Sequence, residues 1–319
     1  MTRPISTSPH QACVDIGGTK VAVSLAHASS GRELLAKRSE PTAKVGGNDA
    51  LALQIIRMIE AARAEVGGVE VNAAGVSSCG PFVMNQGLVE LAAPNICGGL
   101  AGPERGLPNT WMSALLEASL RARYGQVRVE IDGIGALEAE RRWGALQGQT
   151  HCAYVTWSTG IGAGVCVDGH VLRGKNGNAG HVGHIFVSDD DHALCGCGNV
   201  GDLEALIAGN AIPRRFAAQG FTDAATLFVA ARAGNTLAMT IVDDMCRIMG
   251  RALYNLITLI DLQRISMGGS VFWHNQDLLL PRLRAQVAGK LPALTQGVEI
   301  VPAGLGLEVG DYGALALVA

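Results

Sequence analysis

Basic charge is scarce in this sequence: 25 Lys and Arg against 28 Asp and Glu leave a formal net charge of −3. A nucleic-acid surface requires a basic excess, so none is expected. Long apolar runs are also missing. The longest one beside a helical pattern, 252–260, is interrupted by Asn255 and closed by Arg251 and Asp261, too short to span a bilayer. The first ten residues, Met1 to His10, contain no apolar core of a signal peptide and read as a loose tail. Eight cysteines without a secretory signal point to a reducing cytoplasm, where clustered cysteines hold metal more often than they pair. Charged residues make up 17% and apolar residues 48%, a balance that excludes a disordered chain. The 319 residues suffice for two domains, each with its own core.

The densest signal lies near the start. Asp15-Ile16-Gly17-Gly18-Thr19-Lys20 follows the apolar Ala12-Cys13-Val14 and precedes the strand-like 21–26, which reads as a hairpin with a glycine turn. Backbone N–H groups and the Thr19 hydroxyl on such a turn can face a nucleotide phosphate while Asp15 orients its Mg²⁺. Glycine suits the turn because a residue without Cβ lets backbone approach phosphate closely. A plain glycine hairpin with Asp15 as a turn residue stays open on this stretch alone.

Further along, Asn48 reads as the cap of a helix carrying Leu51, Ile55, Ile56 and Ile59 at helical spacing, ended by Gly67-Gly68. A buried strand is predicted over 69–76, a loop over 77–81, a helix over 111–123 and a strand over 127–131, with Asp132 at its C-terminal end. Ligand-binding groups of α/β sheets emerge at such strand ends. The second half repeats the plan. Strands over 154–157 and 164–167 flank a second glycine turn, Thr159-Gly160-Ile161-Gly162. A long helix over 237–260 places Ile241, Met245, Met249, Leu253 and Leu256 on one stripe, read as core. A short strand over 264–267 runs into Gly268-Gly269.

Taken in order, the Asp15 turn, Glu130-Ile131-Asp132, Ser158-Thr159-Gly160-Ile161-Gly162-Ala163-Gly164, the 174–184 segment ending Ala179-Gly180-His181-Val182-Gly183-His184, Cys195-Gly196-Cys197-Gly198 with Asp202 and Glu204, and Met267-Gly268-Gly269-Ser270 resemble the ROK family of sugar kinases and sugar-responsive repressors. The resemblance runs from Asp15 to Gly310-Asp311-Tyr312-Gly313-Ala314. It implies an α/β, two-lobed actin-like ATPase (ribonuclease H-like) fold with a ligand cleft between lobes. The first lobe is placed at 1–132, rejoined by a C-terminal helix within 303–319, and the second at 133–302.

The implied activity is transfer of the γ-phosphoryl group of ATP, with Mg²⁺, to a hydroxyl of a hexose or of an amino- or N-acetyl-hexose, expected at C6. Asp132 matches the family's proton-accepting Asp; its alternative is a helix N-cap. The nucleotide falls to Asp15, Gly17, Gly18, Thr19, Lys20, Thr159, Gly160, Gly162, Gly268 and Gly269. The sugar falls to Gly80, Asn95, Asp132, His181, His184 and Glu204, although Pro94-Asn95 also suits an ordinary turn.

The family's structural zinc site matches His184, Cys195, Cys197 and Asp202. Asp202 stands where the family has Cys, and oxygen ligation keeps a tetrahedral Zn²⁺ site chemically possible. His192 is a further candidate ligand, and a metal-free loop is the alternative. Two departures touch the sugar site: Ile131 replaces an Asn, and His181 replaces a Glu, exchanging an acceptor-only carboxylate for an imidazole. Both weaken a plain glucokinase reading and favour an amino- or N-acetyl-hexose. A sugar-binding regulator without turnover is the rival, but about a dozen residues before Asp15 leave no room for a helix-turn-helix, and Asp15 and Asp132 are both retained. A cytoplasmic homodimer without nucleic-acid or membrane partners completes the expectation.

Overall fold

Burial on both faces explains why β1 (His10–Ile16) becomes a central strand: Ala12, Val14 and Ile16 on one face and Cys13 on the other are buried with at most 3% exposure, as strands covered on two sides require. The computed structural model describes residues 9–28, 31–101, 106–189 and 192–319. It divides into two compact units, residues 1–139 with 173–178 and 310–319, and residues 140–172 with 179–309. His10 opens β1 instead of belonging to a tail. The rest of that expected tail, up to Ser8, lies outside the described residues.

In the first unit β1 pairs antiparallel with β2 (Lys20–His27), which pairs antiparallel with β3 (Leu34–Pro41). On its other side β1 pairs parallel with β4 (Val71–Ser78), in the register Asp15 to Ser77. A small second sheet joins β5 (Phe82–Asn85), β6 (Leu88–Leu91) and β7 (Ala114–Leu115). The main sheet ends with β8 (Gln126–Ile131), parallel to β4, giving the order β3-β2-β1-β4-β8.

Two local expectations fail in this unit. Helix Ala50–Glu65 starts from Asp49, not Asn48, and Asp49 makes no side-chain cap bond; the helix is held by burial of Leu51, Ile55, Met58 and Ile59. The helix expected over 111–123 shrinks to Glu117–Arg121. Ala114 and Leu115 pair instead with Leu91 and Glu90, and Ser113 donates its hydroxyl to Glu90, so strand pairing outcompetes a helix of modest propensity.

The second unit repeats the topology. The strands β9 (Cys152–Trp157), β10 (Ile161–Val167) and β11 (His170–Val171) run antiparallel, and β12 (Arg264–Gly268) and β13 (Glu299–Pro302) add in parallel, in the order β11-β10-β9-β12-β13. Helix Thr236–Ile260 is capped by the Asn235 side chain, which accepts from the Ala238 N–H. It buries Ile241, Met245, Met249 and Leu253. Removing one such side chain to alanine costs about 2–5 kcal/mol. Among the described residues no single helix is long and apolar enough to cross a membrane.

The chain passes from the first unit to the second within helix Asp132–Trp143. Near its end sits a residue that sequence reasoning missed. Glu140 is fully buried, and its carboxylate accepts from the N–H groups of Ala145, Gly304 and Leu305 and from the Ser266 hydroxyl at 2.8–3.0 Å. These four bonds within the second unit offset the cost of a buried charge.

Candidate functional site

Within the first unit the Asp15 turn is closed by its own backbone and by one neighbour. The Gly17 N–H donates to the Lys20 carbonyl at 2.8 Å, the Thr42 hydroxyl donates to the Gly17 carbonyl at 2.8 Å, and the Thr42 N–H donates to the Thr19 carbonyl at 3.0 Å. Thr19 and Lys20 are exposed. A Cβ on Gly18 would stand 2.1 Å from Asn95 Nδ2, so any larger residue there has to displace the Asn95 side chain. Gly80 follows β4 and is half-buried.

Asp132 is exposed at the end of β8, the first residue of helix Asp132–Trp143. Its Oδ1 accepts from the Gly133 N–H at 2.7 Å. Asp15 is half-buried, and its pKa is raised from 3.8 to about 7. Desolvation contributes most, followed by the negative charges of Asp132 and Asp311, against lowering by Lys20 and the Ser77 hydroxyl. A carboxylate so placed is poised to gain from a cation that would neutralise it.

In the second unit the glycine turn joins β9 to β10. Gly209 and Asn210 donate their N–H groups to the carbonyls of Ser158 and Thr159 at 2.8 and 3.1 Å, and the Ser158 and Ser270 hydroxyls meet at 2.9 Å. Glu204 Oε2 accepts from the Ile161 N–H at 2.9 Å. A Cβ on Gly160 would lie 2.6 Å from the same oxygen. Thr159 is exposed and Gly162 half-buried. Gly268 ends β12, and Gly269 precedes the short helix Ser270–Trp273.

His181 and His184 are half-buried, with ring centroids 6.1 Å apart. His184 Nδ1 faces Asp202 Oδ2 at 3.1 Å and Cys195 Sγ at 3.8 Å, and Cys197 Sγ lies 3.5 Å from the same Asp202 oxygen. One donor atom from each of His184, Cys195, Cys197 and Asp202 falls within 4.8 Å of the others. Zinc bonds of about 2.0–2.3 Å place neighbouring tetrahedral ligand atoms about 3.3–3.8 Å apart; the separations of 3.1, 3.5 and 3.8 Å lie near that spacing, so the donor set is compatible with zinc. His192 is exposed and outside this group.

Asp202 is fully buried and N-caps helix Leu203–Ile207 through Oδ1, which accepts from the Ala205 N–H at 2.8 Å. Its second oxygen stays directed at the cluster, so one side chain caps the helix and faces the candidate metal ligands. The Asp202 carboxylate raises the His184 pKa despite burial, and burial pushes the Cys195 thiol up.

Asp15, the 17–20 turn, Gly80, Asn95 and Asp132 thus belong to the first unit, and Thr159, Gly160, Gly162, His181, His184, Cys195, Cys197, Asp202, Glu204, Gly268 and Gly269 to the second.

The sequence profile of the ROK family matches residues 11–319. The N-acetylmannosamine kinase of Salmonella typhi is 30% identical over 268 residues, spanning 81% of this chain and 82% of that protein. The ROK hexokinase structure from Thermus thermophilus superposes with a TM-score of 0.76 at 32% identity, covering 97% of each chain. The ROK family glucokinase of Streptomyces griseus, solved with glucose and AMPPNP, gives a TM-score of 0.69 at 27% identity over 96% of this chain and 97% of that one.

Proposed function

Because this chain belongs to the ROK family, whose sugar kinases have the actin-like ATPase fold, we infer that it is an ATP-dependent sugar kinase. The observation that carries the reading is the exposed Asp132 carboxylate at the end of β8, coupled electrostatically to Asp15 beside a glycine turn in the same unit. Phosphoryl transfer asks for a base near the attacking hydroxyl, donors for the phosphates and a cation to balance charge, and little else.

In this reading Asp132 accepts the proton of a sugar hydroxyl, expected at C6, as the hydroxyl oxygen attacks the γ-phosphorus and ADP departs. The transferred proton ends on Asp132. Thr19, Lys20 and the backbone N–H groups of the two glycine turns receive the phosphates, and Gly268-Gly269 faces the adenosine. Asp15 is the residue that would hold Mg²⁺, which supplies charge neutralisation on the phosphates. A cation held there would favour the ionised state of Asp15 that burial disfavours. His184, Cys195, Cys197 and Asp202 would hold a structural zinc ion that ties the 184–202 loop together.

The sugar is assigned to Gly80, Asn95, His181, His184 and Glu204. The relatives are named for glucose and N-acetylmannosamine, so the substrate class is a hexose or an amino- or N-acetyl-hexose. Ile131, buried with 3% exposure, has no group to bond a ring hydroxyl, and together with His181 it supports the case against plain glucose. The decisive experiment measures ADP release across hexoses and N-acetyl-hexoses, with Asp132→Asn beside the native enzyme. That variant is expected to lose about 10²–10⁴ in kcat, the range for a lost general base, while still binding AMPPNP. Near-full turnover in Asp132→Asn would remove the residue from the mechanism.

A further inference from the structure

Besides the Ser158–Ser270 hydroxyl pair, one segment of chain supplies three anchors for the second glycine turn. Gly209 and Asn210 donate to the carbonyls of Ser158 and Thr159, and half a helix earlier Glu204 takes the Ile161 N–H at 2.9 Å. All three anchors lie within 204–210. Glu204 is the one among them that acts through a side chain, reaching a strand 43 positions away in sequence. Its carboxylate also fills the space where any Cβ on residue 160 would have to stand, 2.6 Å from Oε2. Ile161 is the first residue of β10, so this bond fixes where the turn ends and the strand begins.

We propose that Glu204 is a positioning residue for the nucleotide, setting the geometry of the Ser158–Gly160 turn through the Ile161 N–H, and not solely a contact to the sugar. The proposal rests on the sugar-kinase reading, in which that turn receives phosphate. A preorganised turn presents its remaining donors to phosphate without reordering on binding. Without the anchor, the Ile161 N–H loses a charge-assisted acceptor and the turn must be ordered by the ligand itself.

Reach and charge can be separated with three variants. Glu204→Gln keeps an acceptor oxygen at the same reach. Glu204→Asp keeps the charge but is one methylene too short for Ile161, and Glu204→Ala removes both. The probe is Mg²⁺-AMPPNP, titrated calorimetrically against the full chain without sugar, so no direct sugar contact can contribute.

The Asp and Ala variants are expected to bind about tenfold more weakly, the effect of one lost hydrogen bond to a charged group, while Gln stays within about twofold of native. A double-mutant cycle supports the same contact: Gly160→Ala should weaken binding in the native background and cost little beside Glu204→Ala, which vacates the space. Thermal melting of Glu204→Asp and Glu204→Gln shows whether both fold, and their comparison stands even if Glu204→Ala does not.

The proposal is overturned if Asp and Gln bind AMPPNP equally well, or if Gly160→Ala and Glu204→Ala are additive. It is likewise overturned if every effect appears in the sugar KM alone. Failure of the kinase reading itself looks different, since the native chain would then not bind Mg²⁺-AMPPNP at all.

Discussion

Asp15 should make the protein less stable at neutral pH than an uncharged replacement would. Its carboxyl titrates near pH 7 in the folded chain against 3.8 ordinarily. Between these values the folded state holds a proton that the unfolded state has released, so this group's contribution to stability falls as pH rises from about 4 to about 7 and stays low above that. The shift from 3.8 to about 7, at about 1.4 kcal/mol per pKa unit, bounds the penalty at about 4 kcal/mol. Asp15 is half-buried, and solvent screening reduces the effect to about 1–2 kcal/mol.

Asp15→Asn keeps the shape and an acceptor for the Ser77 hydroxyl while removing the charge. Its melting temperature is expected to match native at pH 4 and to exceed it by about 3–6 °C at pH 8, given about 2–4 °C per kcal/mol for a chain of this size. Mg²⁺-AMPPNP should reverse the order, stabilising native more than the variant, because the variant lacks the Asp15 carboxylate that would hold the cation. The activity of Asp15→Asn should collapse, so stability is gained where function is lost. A variant no more stable than native at pH 8, or a difference that does not change with pH, would refute the electrostatic account of this site.

Zinc should copurify at about one ion per chain, and Cys197→Ser should lose it together with thermal stability, because structural zinc contributes directly to folding; elemental analysis of the native protein showing no zinc rejects the site. Asp202→Cys is expected to hold zinc more tightly but to release the Ala205 N–H from its cap, which a chelator titration with parallel melting curves resolves into two opposite effects. An N-acetyl- or amino-hexose should exceed glucose in kcat/KM, and His181→Glu should move preference toward glucose, since a pocket built around one hydrogen-bonding pattern discriminates against another. A native preference for glucose of more than about tenfold would end that reading of His181.

What was legible in the sequence shares a physical cause. Both glycine turns stand between apolar strands, so residue type and strand pattern gave the same answer, and β1, β2, β9 and β10 formed where alternation and burial agreed. The long stripe Ile241, Met245, Met249 and Leu253 was equally plain and is buried. The misread elements are those where a distant partner decided the outcome. Ala114 and Leu115 belong to a strand because Leu91 and Glu90 are there to pair, and no local pattern announces that. Glu140 looks like one more charge beside Glu138, Arg141 and Arg142 until Ser266 and Gly304 are brought to it. Asp202 reads in the sequence only as an oxygen ligand in place of a Cys, and its cap bond to the Ala205 N–H appears once helix Leu203–Ile207 is in place.

The same logic recasts the glycines that first drew attention to the chain. Their absence of Cβ was attributed to the approach of phosphate, yet Gly18 is pressed by Asn95 and Gly160 by Glu204, protein side chains present before any ligand arrives. In the sugar-kinase reading both side chains are assigned to the sugar, and each sits against a turn assigned to the nucleotide in its own unit. A sugar that shifts Asn95 or Glu204 therefore bears on a phosphate turn through direct packing, and thermodynamic reciprocity requires nucleotide binding to alter sugar affinity by the same factor. The glycines are then needed twice over, once so that backbone can meet phosphate and once so that a polar side chain can lie against that backbone from behind.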